Sequence, residues 1–215
     1  MKKLFQNLLA LMMLLSFSVN GIADAWDEYD FESDGIRYEI VSKKKRTVRV
    51  VWASQTNLVI PSKVLHESKA YKVVAIKDNA FTLNNKKLVS VEIPSTVTII
   101  EEFAFFTCSN LTSVKMCEGV TRIENRAFVG CNKLISIELP STLTSIDEYA
   151  LSVLRLKNVY CKALTPPDGP VEVFDEDTYK EGTLYVPVGT KEEYESADPW
   201  RNFINIVEID FSSVR

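Results

Sequence analysis

Residues 100–140 read IEEFAFFTCSNLTSVKMCEGVTRIENRAFVGCNKLISIELP, and this stretch gives nearly the same pattern twice. Seven positions recur in kind after 23 residues, namely Ile100, Ala104, Phe105, Cys108, Leu111, Val114 and Met116, then Ile123, Ala127, Phe128, Cys131, Leu134, Ile137 and Leu139. Similar copies begin at Ile76 and Ile146. Self-similarity at a fixed period in the twenties is typical of a solenoid, because each unit buries its apolar face only against its neighbours.

Each repeat has two halves with different periodicities. In Leu88-x-x-Val91-x-Ile93 the last two apolar positions alternate, as a short strand requires. In Ile100-x-x-x-Ala104-Phe105 the spacing of four predicts a helical turn that faces the core. The repeats therefore predict an α/β repeat solenoid, a short slab with a parallel β-sheet. Its opposite side is filled by a column of large apolar side chains, Phe81, Phe105, Phe128 and Leu151.

The segments on either side of the repeats are predicted to be caps. Residues 26–57 comprise an acidic leader, predicted to be frayed, and two alternating β-rich runs around the basic tip at residues 42–46, which predict a hairpin. Residues 58–162 hold the repeats. Residues 163–215 form a C-terminal strand-helix cap, with a strand at residues 184–187 and a helix opened by Thr190 and Glu193 as a capping box.

The first 25 residues are predicted to be a secretory signal peptide. Lys2 and Lys3 precede an apolar run at residues 8–17, and Ala23-Asp24-Ala25 fits the small-x-small cleavage pattern before Trp26. No later run is apolar for long enough to cross a membrane. The expected location is outside the cytoplasm, in the periplasm, at the cell surface or secreted.

The composition gives little sign of catalysis. A net charge of −4 argues against nucleic acid as a general partner. The chain has one histidine, His66, predicted to be a surface loop residue, and no C-x-x-C pair, so we expect no metal, no cofactor and no enzyme activity. Cys108 and Cys131 occupy equivalent slots about 5 Å apart. They are either bridged or, more commonly for such a pair, two buried thiols in a ladder.

The phrase Leu111-x-x-Val114-x-Met116, followed by Val120-x-x-Ile123-x-x-x-Ala127-Phe128-x-x-Cys131, resembles the BspA-type bacterial leucine-rich repeat. The closing segment from residue 184 to Ile206, and Asp34-Gly35-Ile36-x-Tyr38 near the start, are also similar to secreted members of that family. The resemblance implies a bacterial surface or secreted protein that adheres to host matrix proteins or to other bacteria.

Outward-facing strand positions form a row on the predicted concave face. After Val59 the row contains Glu92, Lys115, Glu138 and Tyr160, beside a second row of short polar residues. Alternating charges at strand spacing attract one another, so the row is either a solvated, self-neutralised face or a ligand site with Tyr160 as its anchor. The predicted function is a binding or adhesion module for a host protein, a bacterial surface or a glycan. The alternative is a non-catalytic structural component of a cell-surface assembly.

Overall fold

A computed structural model describes residues 28–82 and 86–213. The strands, in chain order, are β1 (Phe31–Ser33), β2 (Ile36–Ser42), β3 (Thr47–Ala53), β4 (Asn57–Val59), β5 (Lys63–His66), β6 (Lys69–Ile76), β7 (Ser90–Ile93), β8 (Ile99–Ile100), β9 (Ser113–Met116), β10 (Arg122–Ile123), β11 (Ser136–Leu139), β12 (Ser145–Ile146), β13 (Asn158–Cys161), β14 (Thr183–Pro187) and β15 (Asn205–Ile209). The helices are α1 (Glu176–Glu181) and α2 (Lys191–Ser196), with 3-10 turns at Val171–Val173 and Trp200–Asn202.

Three successive repeats each contribute one four-residue strand and one two-residue strand, namely β7 with β8, β9 with β10, and β11 with β12. The longer strands pair in parallel, with Glu92 opposite Lys115 and Glu138 opposite Tyr160. The two-residue strands also pair in parallel, and Ile123 lies between its equivalents Ile100 and Ile146. Equivalent positions of successive units therefore lie next to one another, as the 23-residue spacing predicts.

The core contains the predicted column of rings. Phe81 and Phe105 stack with centroids 4.9 Å apart and an interplanar angle of 12°, and Phe105 and Phe128 stack at 4.9 Å and 10°. All three side chains are fully buried, and so is Leu151 in the following unit. The prediction that these residues share one environment is confirmed.

The predicted helical turn in each repeat is wrong. Ile100 ends the short strand β8, and the residues after it form turns. The amide of Phe105 donates its hydrogen bond to the carbonyl of Ala127 in the next unit, 2.8 Å away, whereas a helix would direct it four residues back. Phe103 also has a φ of 57°, and its equivalent Arg126 has 54°, a left-handed conformation that interrupts any right-handed helix.

The hairpin before the repeats is confirmed, and the leader is more ordered than predicted. β2 and β3 pair antiparallel, and β3 then pairs in parallel with β6 at the start of the repeats. Residues 31–33 are not frayed, because β1 pairs with β2 and aligns Phe31 with Tyr38. A second hairpin, β5 with β6, was not predicted.

A partly buried ion-pair network fastens the first hairpin to the repeats. Arg49 on β3 contacts Glu39 at 2.9 Å and Glu101, just after β8, at 2.8 Å. Lys77 contacts the other oxygen of Glu39 at 2.8 Å. Glu101 is thus a partner of the hairpin, in addition to its place in the turn of its own repeat.

Beyond the repeats the sheet continues. β13, β14 and β15 pair in parallel, which confirms the strand predicted at residues 184–187. α1 was not predicted. α2 begins where expected, but Thr190 and Glu193 make no capping box; instead a carboxylate oxygen of Glu208 on β15 accepts the amides of Gly189 and Lys191 at 2.9 and 3.0 Å.

All four cysteines are free thiols. Cys131 donates to the carbonyl oxygen of Phe105 at 3.2 Å, and Cys108 donates to that of Phe81 at 3.8 Å. Of the two alternatives, the structure has the buried thiol ladder. Burial raises the pKa of Cys108 to about 12 and that of Cys161 to about 11, and it also raises the pKa of Cys131.

The predicted signal peptide at residues 1–25 lies outside the described residues. Within residues 28–82 and 86–213, no helix has the length and hydropathy needed to cross a membrane. The boundaries proposed at residues 57 and 162 stay predictions.

Candidate functional site

The candidate site is the outward face of the longer strands. Two rows of side chains run across it, one from the third residue of each strand and one from the first. The central row is Val59, Glu92, Lys115, Glu138, Tyr160, Tyr185 and Val207. The polar row is Asn57, Ser90, Ser113, Ser136, Asn158, Thr183 and Asn205.

Strand alternation determines which side chains reach this face. In β9 and β11 the burial pattern is exposed, buried, exposed, buried. Val114 and Met116 therefore face the core, and Ser113 and Lys115 face outward. The face has two parts, because β4, β7 and β9 form one sheet and β11, β13, β14 and β15 form another, with β9 lying alongside β11.

Charges on the central row neutralise one another locally. Lys115 contacts Glu92 at 3.0 Å, and this hydrogen bond and the nearby negative charge raise the pKa of the lysine. Glu138 contacts Lys162, two residues after Tyr160, at 2.8 Å. Exposed ion pairs of this kind contribute little to stability, because water and salt screen them. The two pairs leave the face close to neutral and polar.

The distinctive feature of the row is a stacked pair of tyrosines. The rings of Tyr160 and Tyr185 lie 4.4 Å apart with an interplanar angle of 10°, on adjacent strands in register. Desolvation, and the neighbouring Tyr185 and Glu138, raise the pKa of Tyr160, so its hydroxyl stays protonated at neutral pH. The pair presents both apolar ring area and hydroxyl groups next to a carboxylate.

Beside the tyrosines, the polar row offers a line of short hydrogen-bonding groups. Ser90 donates to Asn57 at 2.8 Å, and Asn205 donates to Thr183 at 2.7 Å. The hydroxyl of Tyr185 donates to Asn158 at 3.5 Å, which links the two rows. Short side chains of this type lose little conformational entropy when a partner covers them.

Comparison with known proteins identifies the repeats. Residues 74–165 match the model for the BspA type leucine rich repeat region, in six copies. These residues are a BspA-type leucine-rich repeat region. The resemblance drawn from the repeats is confirmed for residues 74–165, and with it a leucine-rich repeat fold of parallel strands and few helices. The similarity of the closing segment and of Asp34-Gly35-Ile36-x-Tyr38 to secreted members stays a prediction. No curated protein sequence matches the chain.

Solved leucine-rich repeat structures share this fold. One from Bacteroides ovatus is 28% identical with a TM-score of 0.58, and the match covers 83% of this chain but 41% of that one. One from Bacteroides capillosus is 26% identical with a TM-score of 0.56, covering 62% of this chain and 99% of that one. A third, a leucine rich repeat protein from T. pallidum, is 20% identical with a TM-score of 0.61, and the match covers 83% of this chain and 81% of the T. pallidum chain.

Against this BspA-type framework, the four residues predicted for the site all lie on the face. Glu92, Lys115, Glu138 and Tyr160 occupy the same position of successive strands, although the row divides between Lys115 and Glu138. Their role in binding a ligand stays a prediction.

Sequence reasoning missed three contributors to the same face, namely Tyr185, Val207 and Lys162. The signal for Tyr185 was present, because residues 184–187 alternate as the repeat strands do. The alignment of Tyr185 with Tyr160 could not be predicted, because the 23-residue period ends before residue 184. With β14 and β15 included, seven strands at about 4.8 Å span roughly 29 Å, compared with about 20 Å for the five predicted strands.

His66 has a packing role that the sequence did not indicate. It lies in β5, and its ring stacks on Phe31 with centroids 4.1 Å apart. It is therefore not a loop residue. Among the residues that the structure describes, no group of three or more His, Cys, Asp or Glu side chains is placed to hold a metal ion.

Proposed function

We propose that the chain is an exported, non-catalytic binding module, a short solenoid whose strand face contacts a protein on a host or bacterial surface. The observation that carries this proposal is the stacked pair Tyr160 and Tyr185 at 4.4 Å, set between an ion pair and a row of short polar side chains. Tyrosines in such a setting are the residues that most often dominate protein–protein interfaces.

A protein suits this face better than a glycan. Stacking covers one face of each tyrosine ring, and the flanking row positions are Glu138 on one side and Val207 on the other. The open ring area is therefore limited, while the hydroxyls and the polar row supply several hydrogen-bonding groups. A polar rim around a compact aromatic anchor is the usual composition of a non-obligate protein interface.

The strand face is too small to form a standard protein–protein interface by itself. Seven strands span roughly 29 Å, and four residues along a strand span about 13 Å, which gives roughly 380 Å² in projection. A standard interface buries about 800 Å² on each partner. Adjacent loops therefore contribute to the interface. One suitable surface is the groove at the C-terminal edge lined by Lys162, Leu164, Pro187, Val188, Ile209 and Phe211.

The test is a binding screen with a matched pair of variants. The purified protein is applied to immobilised extracellular-matrix proteins and to whole bacterial cells, and any binding is quantified by surface plasmon resonance or flow cytometry. Replacing both Tyr160 and Tyr185 with serine is expected to weaken binding at least tenfold, because loss of an aromatic anchor costs about 2 kcal/mol or more.

The control replaces two tyrosines away from the face, Tyr29 and Tyr149, with serine. It is expected to change affinity less than threefold. Equal loss in both double variants, or unchanged affinity when the stacked pair is removed, would refute the assignment of the face. Failure of every surface in the screen to bind would refute the adhesion role.

A second function, a structural component of a surface assembly, is favoured by the last strand. β15 pairs only with β14 within the described residues, so one edge of its backbone is open for pairing. This function predicts a specific oligomer in light scattering, abolished when Val207 at the middle of that strand is replaced by lysine, because a charged side chain hinders pairing at an open edge. A monomer over the micromolar range would exclude it.

A further inference from the structure

A second surface, distant in sequence from the tyrosines, carries a dense positive charge. We define the basic edge patch as Lys43, Lys44, Lys45, Arg46, Lys63 and Lys72. The first four form the tip between β2 and β3, and the last two lie on β5 and β6. The tip alone is an ordinary solvated turn, but the strand pairing adds two lysines that the sequence places 17 or more residues away.

The register of three strands assembles the patch. Thr47 pairs with Lys72 across β3 and β6, and Lys72 pairs with Lys63 across β6 and β5. The amide of Lys72 also donates to the carbonyl of Arg46 at 2.8 Å. Directly paired residues point to the same side of a sheet, so Lys63 and Lys72 lie side by side next to the tip. All six basic residues are exposed.

The charges of the patch are not compensated by the rest of the chain. Among the described residues, none of its six side chains takes part in an ion pair, whereas the nearby Arg49 and Lys77 both contact Glu39. Like charges directly opposite each other on antiparallel strands are destabilising, and Lys63 opposite Lys72 is such a pair. In a protein whose net charge is −4, this edge is a concentrated cationic region, and a bound anion would reduce the repulsion between its charges.

We propose that the basic edge patch binds a linear anionic polysaccharide, through its sulfate or carboxylate groups. Lys63 and Lys72 lie on adjacent strands about 5 Å apart, and Lys72 lies opposite Thr47 at the end of the tip, which gives a run of cations suited to a chain with closely repeated charges. The tyrosines Tyr38 and Tyr71, on the strands that carry the patch, are buried and offer no ring on which unpaired bases would stack, so single-stranded nucleic acid is disfavoured. The exposed apolar side chains beside it are Val41 and Leu65, too few for the apolar face that insertion into a bilayer requires.

The experiment measures binding of the full-length purified protein to two defined polysaccharides by isothermal titration calorimetry at several salt concentrations. Heparin fragments carry both sulfate and carboxylate groups, and hyaluronan fragments carry carboxylates alone. The variant Lys44→Ser/Lys63→Ser/Lys72→Ser is expected to raise the Kd for the tighter ligand at least tenfold. It should also flatten the dependence of log K on log salt concentration, because fewer counterions are released on binding.

The matched control replaces three exposed lysines elsewhere, Lys86, Lys87 and Lys133, with serine. It makes the same change in net charge and is expected to alter the Kd less than twofold. If both triple variants weakened binding equally, the attraction would depend on net charge alone, and the proposal would be overturned. The absence of binding to either polysaccharide at 150 mM salt would also overturn it, as would tighter binding to anionic phosphatidylglycerol vesicles or to a single-stranded oligonucleotide.

The Tyr160 and Tyr185 double variant separates this proposal from the proposed function. It is expected to bind the polysaccharides with unchanged affinity, because its tyrosines lie on β13 and β14 and the patch lies on the first two hairpins. A loss of polysaccharide affinity in that variant would place the site on the strand face and overturn the assignment to the patch.

Discussion

The ring column gives a quantitative prediction for Phe105→Ala. The side chain of Phe105 is fully buried and stacked on both faces, at 4.9 Å from Phe81 and 4.9 Å from Phe128. Burial of a phenylalanine side chain contributes about 2 to 3 kcal/mol, and each aromatic contact adds about 1 kcal/mol. The free energy of unfolding should therefore fall by about 4 to 5 kcal/mol, within the range measured for such truncations.

Urea denaturation followed by circular dichroism measures this difference. In a domain of this size the corresponding fall in Tm is about 8 to 20 °C. Phe106→Ala is the matched control, because the neighbouring ring is only half-buried and contacts Phe103 edge-on at 5.3 Å. Phe105→Leu should lose much less, since leucine fills the equivalent position at Leu151. Equal losses for Phe105→Ala and Phe106→Ala would refute the column as a source of stability.

Two further predictions concern the backbone and pH. Gly119→Ala should abolish stable folding or lower the Tm by more than 10 °C in a thermal melt. The reason is that φ is +144° and the new Cβ would lie 2.1 Å from the carbonyl oxygen of Ser95. Gly189→Ala is the control, with φ of +85° and no atom within 4 Å, and it should lower the free energy of unfolding by only about 1 kcal/mol. Glu39→Gln should destabilise the protein at pH 7. Burial raises the pKa of Glu39, but hydrogen bonds and charge from Lys77 and Arg49 outweigh it and hold the pKa below its ordinary value of 4.5. The carboxylate therefore stabilises the fold fully above pH 4.5, and the difference between wild type and variant should shrink as pH falls through the lowered pKa. A constant difference from pH 7 to pH 3 in urea titrations would contradict this.

The repeat register was predictable because every unit uses the same apolar slots. A shift of 23 residues takes Phe105 to Phe128 and Ile100 to Ile123, and a strand can pair with its copy only if those slots align. The hairpin of β2 and β3 was predictable for a similar reason, since alternating residues flank a polar turn. Both are local patterns repeated in the sequence.

The turns were not predictable from residue type. Left-handed conformations recur at the same repeat position, at Asn79, Phe103, Arg126 and Tyr149. Only Asn79 is of a residue type, glycine or asparagine, that usually marks such a turn. Their amides bond to the next unit, so stacking between units imposes the conformation. Apolar spacing alone could not distinguish this arrangement from a helical turn.

The candidate site was found only in part, for a related reason. Glu92, Lys115, Glu138 and Tyr160 follow from the repeat period, but Tyr185 lies on a strand that joins the sheet after a long, irregular connection. Likewise, the basic edge patch depends on the unpredicted pairing of β5 with β6. Contacts between non-repeated segments are set by tertiary packing, which leaves no periodic signal in the sequence.

The buried cysteines bear on the route that an exported chain would take. Disulfide exchange requires a thiolate, and a thiol with a pKa of about 12, as at Cys108, is ionised in roughly one molecule in 100,000 at pH 7. Once the protein is folded, the buried thiols of Cys108, Cys131 and Cys161 are unreactive even in an oxidising compartment. If the chain is exported as proposed, folding before it meets an oxidant protects it against mispaired bridges, and the speed at which neighbouring units stack would then affect the yield of secreted protein.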